Sequence, residues 1–539
     1  MCFALLPALS QDRIFVVTDR SSYIAGDLVF CSLFCTNESG ALQDFSAVSY
    51  LELISNDGTA AQAKIGLLNG RGAGSFRIPS QTPTGNYRLV AYTARSQASL
   101  DHARVLSIFN TSSTQRVSEG VRFVKESDWK EPSEQAESPV GGLDLTFPVK
   151  VHPGKEATLF LSGLPEGARV AVSIFHDDHL APADGKTLAG FLVGKPAARA
   201  ARSGEYEGEI IQASVEGLEK DASLAEDQVT AFLSSAGDPS NIFIGRSDQD
   251  GHIRFFTDNI YGNHELVCEV VSMQGRKCHI NLTSPFTHPE AGEIPALDLC
   301  PAQRSALIVR KDALKAQNNM VLDTLVQYLP ARKNTLLAGA PDKRYILDHY
   351  NRFPSVREIC VEFIPELEFV RKDQRWRIRM IVSDGTGARK YVQDNILVMM
   401  DGVILTDHSM LESFDAMLLE DIDIYSRAIV LGSVAYNGAV NFVSKKNYVT
   451  ALHFPDNVRV MDFQGVSYPV AYTGALPQGT TADKRQLLYW HPDFEIPAQG
   501  AAARIQITTP LYSGAFKGIV EGLTGDGKPV RGSFSFVVE

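Results

Sequence analysis

Thr18-Asp19-Arg20-Ser21-Ser22-Tyr23-Ile24-Ala25-Gly26-Asp27 reads as a corner between two strands. Upstream, Ile14-Phe15-Val16-Val17-Thr18 is apolar and β-branched. Downstream, Leu28 to Phe34 is a second such run. Within the corner, Tyr23 can anchor the turn by its ring and hydroxyl, and Gly26 permits the tight bend before the next strand. Further out, Val48 to Ile54 alternates and stops at the turn signal Asn56-Asp57-Gly58. Gly72-Ala73-Gly74-Ser75-Phe76-Arg77-Ile78-Pro79 and Gly85-Asn86-Tyr87-Arg88-Leu89-Val90-Ala91-Tyr92-Thr93 supply the closing strands. About seven short strands at this spacing predict a β-sandwich.

The same residues carry a resemblance. Thr18 to Asp27 is similar to the Thr-Asp-Arg-x-x-Tyr-x-x-Gly-Asp/Glu opening of macroglobulin-type domains, and the two later stretches resemble that domain's end. The resemblance covers about a hundred residues, 12–112. It implies a folding unit, with Tyr23 and Gly26 as folding residues.

Beyond residue 112 the pattern changes. Residues 113–142 are polar and rich in Ser, Glu and Lys, as a linker would be. Residues 143–292 return to β-like runs, including Val170-Ala171-Val172-Ser173-Ile174-Phe175, and predict one or two sandwiches. Within them, 215–235 reads as helical. Asp250-Gly251-His252-Ile253-Arg254-Phe255 starts a second copy of the closing pattern, and Gly514-Ala515-Phe516 lies in a third. Residues 297–350 read as a helical insertion, with one helix over Ala306 to Leu329 and another at Ile346 to Tyr350. A separate sandwich-like module is expected over 450–539. The expected class is therefore mainly β, with sandwiches in series.

Residues 355–447 combine a helix, Ser355 to Phe363, with strands. The strands are read at Pro365 to Val370, Arg377 to Val382, Asn395 to Leu405, Glu420 to Tyr425 and Ala435 to Lys446. Asp401 before Gly402 is read as stabilising a turn by a side-chain-to-backbone hydrogen bond. The order of elements, with Asp401-Gly402-Val403 and Tyr436 to Lys446, resembles the plug domain of TonB-dependent outer-membrane receptors. Asp421 to Tyr425 lacks the family's Lys-Gly, and Asn437 stands where the family has Gly. A receptor plug precedes a large barrel of alternating strands. Only about ninety residues follow Lys446, and they read as a sandwich. The chain thus resembles Bacteroidetes envelope proteins that combine macroglobulin-like and plug-like domains, which implies an accessory role and not transport by this chain.

Composition narrows the classes. Acidic residues (63) outnumber basic ones (51), for a net charge of −12, which argues against nucleic-acid binding. The opening, residues 1–11, is apolar and ends in small residues. It reads as the tail of a secretory signal cleaved near Ser10 or Gln11, with an upstream start codon accounting for its shortness. No run reaches the ~20 apolar residues of a membrane-spanning helix. Exported, peripheral attachment at the cell envelope is expected. The seven cysteines form no Cys-x-x-Cys pair. Cys268 and Cys278 flank a turn and could bridge, and buried thiols are expected for most.

No nucleophile elbow, zinc-protease motif or phosphate loop occurs, so no catalytic residue, cofactor or metal is assigned. His176-Asp177-Asp178-His179 could hold a metal or be a solvated strand end. The remaining signal is acidic. Asp415, Glu420, Asp421 and Asp423 form a run, and Asp401, Glu420, Asp421 and Asp423 are the residues expected to meet a partner. That partner is expected to be an outer-membrane protein complex for transport or assembly. The alternatives are a module binding an extracellular polymer or peptide, for which Trp129, Trp376 and Trp490 are too few and scattered, and an enzyme with a dispersed site.

Overall fold

The computed structural model describes residues 12–96, 98–112, 116–129, 139–180, 186–194, 204–216, 229–236, 240–258, 260–271, 278–319, 325–330, 337, 339–372, 374–383, 390–432, 434–446, 452–476, 483–497 and 503–539. The expected signal remnant, 1–11, lies outside them. The chain is mainly β and divides into two compact units. One comprises residues 1–208, 286–331 and 466–539. The other comprises 209–285 and 332–465.

The first unit opens with the expected sandwich. Its strands run in the order Arg13–Thr18, Leu28–Thr36, Arg71–Arg77, Gly58–Leu68, Val48–Ser55, Gly85–Tyr92, Arg104–Phe109, Ser22–Ile24. The long Gly58–Leu68 strand pairs with Val48–Ser55 along most of its length and with Arg71–Arg77 only at Leu67 and Leu68. Leu33, Leu51, Ile65, Phe76, Tyr87 and Leu106 fill the core. The corner forms as the residues predict. The buried Tyr23 hydroxyl donates to Asp19 Oδ1 at 2.8 Å, and that oxygen also accepts the Phe30 N–H at 2.9 Å. Gly26 has φ +103°, a backbone that costs only glycine little.

A second sandwich is closed by segments far apart in sequence. Asp144–Thr146, Glu156–Ser162 and Ala503–Thr508 make one sheet. The other contains Arg169–His176, flanked on one side by Leu487–Glu495 and on the other by Gly514–Leu523, which pairs with Pro529–Val538. Gln506 Nε2 donates to Glu156 Oε2 at 2.6 Å across 350 positions. The predicted separate module over 450–539 is therefore corrected, because strands from 487–538 complete a sheet begun at 144–176. The register leaves Leu159, Leu161, Val170, Val172, Ile505, Ile507, Phe516 and Val520 facing one core. Strand Arg13–Thr18 is buried along its whole length because its second face also packs. There Phe15, Val17, Phe30 and Phe34 meet Trp490, Tyr472 and Leu523.

The second unit repeats the device. Its sandwich has one sheet of His252–Phe256, Ile210–Glu216 and His279–Thr283. The other contains Asn241–Arg246, Thr230–Ser235, Asn263–Val271 and the late strand Val458–Gln464. The helix predicted over 215–235 is corrected where it is described. Residues up to Glu216 and from Thr230 are strands, since Ala231 and Leu233 alternate into the core and pair on both sides. Residues 217–228 of that prediction lie outside the described residues. The helical insertion over 297–350 is also reduced. Arg304–Asn319 is an α-helix, while Lys343–Ile346 is a strand and Leu347–His349 a single 3-10 turn. In the linker, Val121–Phe123 pairs in parallel with Leu297–Leu299.

Between residues 332 and 457 the second unit builds an α/β domain. Its sheet runs Lys343–Ile346, Leu419–Tyr425, Ala439–Ser444, Leu397–Met400, Val403–Ile404. A three-stranded sheet, Leu367–Lys372, Arg375–Ser383 and Lys390–Gln393, stands beside it. The helix Val356–Phe363 is capped by Ser355, whose hydroxyl accepts the Glu358 N–H at 3.2 Å.

Candidate docking surface on the inserted domain

Strand alternation sets what each acidic residue can do. Along Leu419–Tyr425, Ile422 and Ile424 point into a core of Val356, Ile359, Met380, Val398, Val440 and Phe442. The opposite face of the sheet carries Leu397, Met399, Tyr425 and Ala439. These pack on Phe232, Ile242 and Ile244 of the sandwich in the same unit. The central sheet thus has apolar neighbours on both faces.

Polar groups within that sheet are satisfied internally. Arg344 and Asp423 are direct cross-strand partners, and the guanidinium bonds both carboxylate oxygens at 2.6 and 2.9 Å. Asp423 is buried. The hydrogen bond to Asp423 raises the Arg344 guanidinium, which therefore stays charged. Asn441 is the partner of Asp423 on the next strand, and its Oδ1 accepts the Gly402 N–H at 3.0 Å.

Asp401 closes this row. Its backbone has φ +49° and Gly402 has φ +78°, so the strand reverses there. Its Oδ1 accepts the Ser444 N–H and its Oδ2 the Ser444 hydroxyl, both at 2.7 Å. The bond to backbone predicted for Asp401 exists, but it fastens the turn to the end of a strand 43 positions on. The side chain is buried and faces inward.

Glu420 and Asp421 differ from these two. A bulge between Leu419 and Asp421 breaks the alternation and leaves Glu420 exposed. Asp421 is half-buried with Arg344 at 3.9 Å, and burial raises its carboxyl. Asp415 caps a 3-10 turn by accepting the Met417 N–H at 3.0 Å. The four expected residues thus fall into two pairs. Asp401 and Asp423 hold the sheet, and Glu420 and Asp421 lie at its solvent border.

Several contributors escaped the sequence reading. Glu269 on the sandwich receives the Thr406 hydroxyl and the Thr406 N–H, the latter at 3.3 Å. Burial raises its carboxyl. His408 is buried, and its Nδ1 accepts the Ile378 N–H at 2.9 Å. Burial, reinforced by Arg377, pushes that imidazole down to about 4. No motif marks these residues, because each acts through a contact between segments remote in sequence.

Within the His176–His179 cluster, His176 and Asp178 turn inward while His179 is exposed. Burial works to raise the Asp178 carboxyl, but the Arg310 guanidinium outweighs it and holds it below the usual carboxylate range. Arg310 bonds both Asp178 oxygens and the Ser22 carbonyl. His176 sits edge-on to Phe516. Among the described residues no group of three His, Cys, Asp or Glu side chains is placed to hold a metal ion. Cys268 is a buried thiol and not half of a hairpin disulfide. No described helix is long and apolar enough to cross a membrane.

Neither a family model nor a curated protein matches the chain. Solved structures do. Trypsin-activated α2-macroglobulin from Escherichia coli aligns at 10% identity over 98% of this chain and 41% of its own, with a TM-score of 0.24. A Salmonella α2-macroglobulin mutant aligns at 10% over 98% and 39%, with a TM-score of 0.25. The Yersinia pseudotuberculosis adhesin InvE aligns at 10% over 50% and 57%, with a TM-score of 0.14. The chain spans about two-fifths of the length of those macroglobulins.

Proposed function

We propose that this chain is a non-catalytic binding and scaffold protein of the bacterial envelope, exported and peripheral to the outer membrane. It would serve as an accessory subunit of a transport or assembly complex there. The observation that carries the reading is the seating of the inserted α/β domain. One face of its sheet is covered by its own helix and hairpin, the other by the neighbouring sandwich. A plug-like domain seated in this way needs no barrel around it, and a sandwich serves as its mount. The carboxylates remaining at its border, Glu420 and Asp421, are the groups we assign to a basic partner surface.

Affinity purification of the tagged full chain from mild detergent extracts tests this. An outer-membrane protein complex should co-purify. Glu420→Lys with Asp421→Lys should weaken that association more at low salt than at high, since exposed charges are screened over ~8 Å at physiological ionic strength. Recovery of the chain alone, or from the cytoplasm, would overturn the reading.

A further inference from the structure

The protein is acidic overall, yet one hairpin is strongly basic. Arg371-Lys372-Asp373-Gln374-Arg375-Trp376-Arg377-Ile378-Arg379 joins strand Leu367–Lys372 to strand Arg375–Ser383. Arg371, Lys372, Arg375 and Arg377 are exposed, as is Arg357 on the adjacent helix. Arg379 is paired with Glu368 at 2.8 Å. No described carboxylate lies within ion-pair distance of the other five cations. Asp373 lies outside the described residues.

Register makes the arrangement costly. Lys372 is the direct cross-strand partner of Arg375, and like charges placed so are destabilising. Arg377 follows on the same face, roughly 7 Å along the strand. On the other face, Trp376 holds two guanidinium groups, with Arg357 at 5.1 Å and Arg371 at 5.9 Å from its ring centroid. Stacking on the indole fixes both groups while leaving their N–H donors free for the oxygens of an anion. Cations therefore surround the end of the hairpin on both faces.

We infer that this hairpin end is a contact for a phosphate-bearing lipid surface. The two-sided distribution chooses among anions. An extended acidic peptide follows one face or one strand edge, whereas a sheet of headgroups meets an exposed hairpin end from every side. Arginine, four of the five cations, suits phosphate by its bidentate fork. The inference rests on the peripheral-envelope reading above for its setting only. Its chemistry is that of the hairpin.

The test is sedimentation of the purified full chain with vesicles of phosphatidylcholine, alone or mixed equally with phosphatidylglycerol. Binding should require the anionic lipid and fall steeply with salt. Each cation replaced by Gln at Arg371, Lys372 and Arg375 should lower partitioning about fivefold. Lys445→Gln with Lys446→Gln, on a separate exposed turn, should leave it unchanged. Circular dichroism and a thermal melt confirm that the variants fold. Equal binding to both vesicles, no binding, or full binding by the triple variant overturns the inference. Binding to polyglutamate without binding to vesicles overturns it too, and reassigns the hairpin to an acidic polypeptide. No vesicle binding by the wild-type chain, with the envelope complex still co-purifying, would sink the lipid contact and leave the scaffold reading in place.

Discussion

Gly402→Ala should loosen the second unit by about 3 kcal/mol and leave the N-terminal sandwich untouched. Two costs combine. The residue sits at φ +78°, where an L side chain loses about 1–2 kcal/mol. The added methyl would also collide with Cβ and Oγ of Ser240 on the sandwich, and overpacking costs about 1–3 kcal/mol. Hydrogen exchange by mass spectrometry gives the readout. Peptides covering 397–404 and 230–235 should exchange about a hundredfold faster, while those from 13–109 keep their rates. Ser240→Gly in the same chain should restore part of the loss by removing the collision, though not the backbone strain. Unchanged exchange in the single variant would show that the turn does not seat on the sandwich.

The second large effect is acid sensitivity through His408. Unfolded, its imidazole titrates near 6.5. Folded, burial and Arg377 hold it down to about 4, and Asp407 opposes them only in part. Between those values the unfolded chain binds the proton that the folded chain refuses. His408 therefore contributes fully above about pH 6.5, and its contribution drains away as pH falls toward 4. The loss is about 3 kcal/mol over the window. Glu269 works in the opposite direction, since burial raises its carboxyl and the folded state takes up its proton more readily. The comparison is therefore made against His408→Gln, whose amide oxygen can still accept the Ile378 N–H and does not titrate. Urea midpoints for the wild type should fall further than those of the variant between pH 6.5 and 4. Parallel pH profiles would refute the assignment.

Legibility followed the range of the interactions. The Tyr23 corner was readable because Tyr23 bonds Asp19 and the Ile24 N–H bonds Asp27, all within nine positions. The helix after Ser355 was readable for the same reason, its cap being three residues from its partner. Closure of the second sandwich was not. Ala503–Thr508 alternates like any sandwich strand, and nothing local says that its partner is Glu156–Ser162. The helix expected over 215–235 arose from apolar residues spread among acidic ones, a pattern that cannot outvote a strand paired on both sides. At the candidate site, accessibility was not legible, because a register shift after Leu419 leaves Glu420 exposed while Asp423 is buried against Arg344.

Strands from Leu487 to Val538 close a sandwich begun at residue 144, which makes the segments between them an insertion in the sequence of that sandwich. Cysteines at Thr158 and Gln506, direct partners on adjacent antiparallel strands, test this most directly. Facing Cβ atoms there lie about 5 Å apart, near the span of a disulfide. Mild oxidation of the Thr158→Cys, Gln506→Cys chain should produce an intramolecular cross-link, with faster migration on a non-reducing gel and loss of two reactive thiols. Thiols that stay reduced, or that join only between molecules, would contradict the closure and return residues 487–539 to a module of their own.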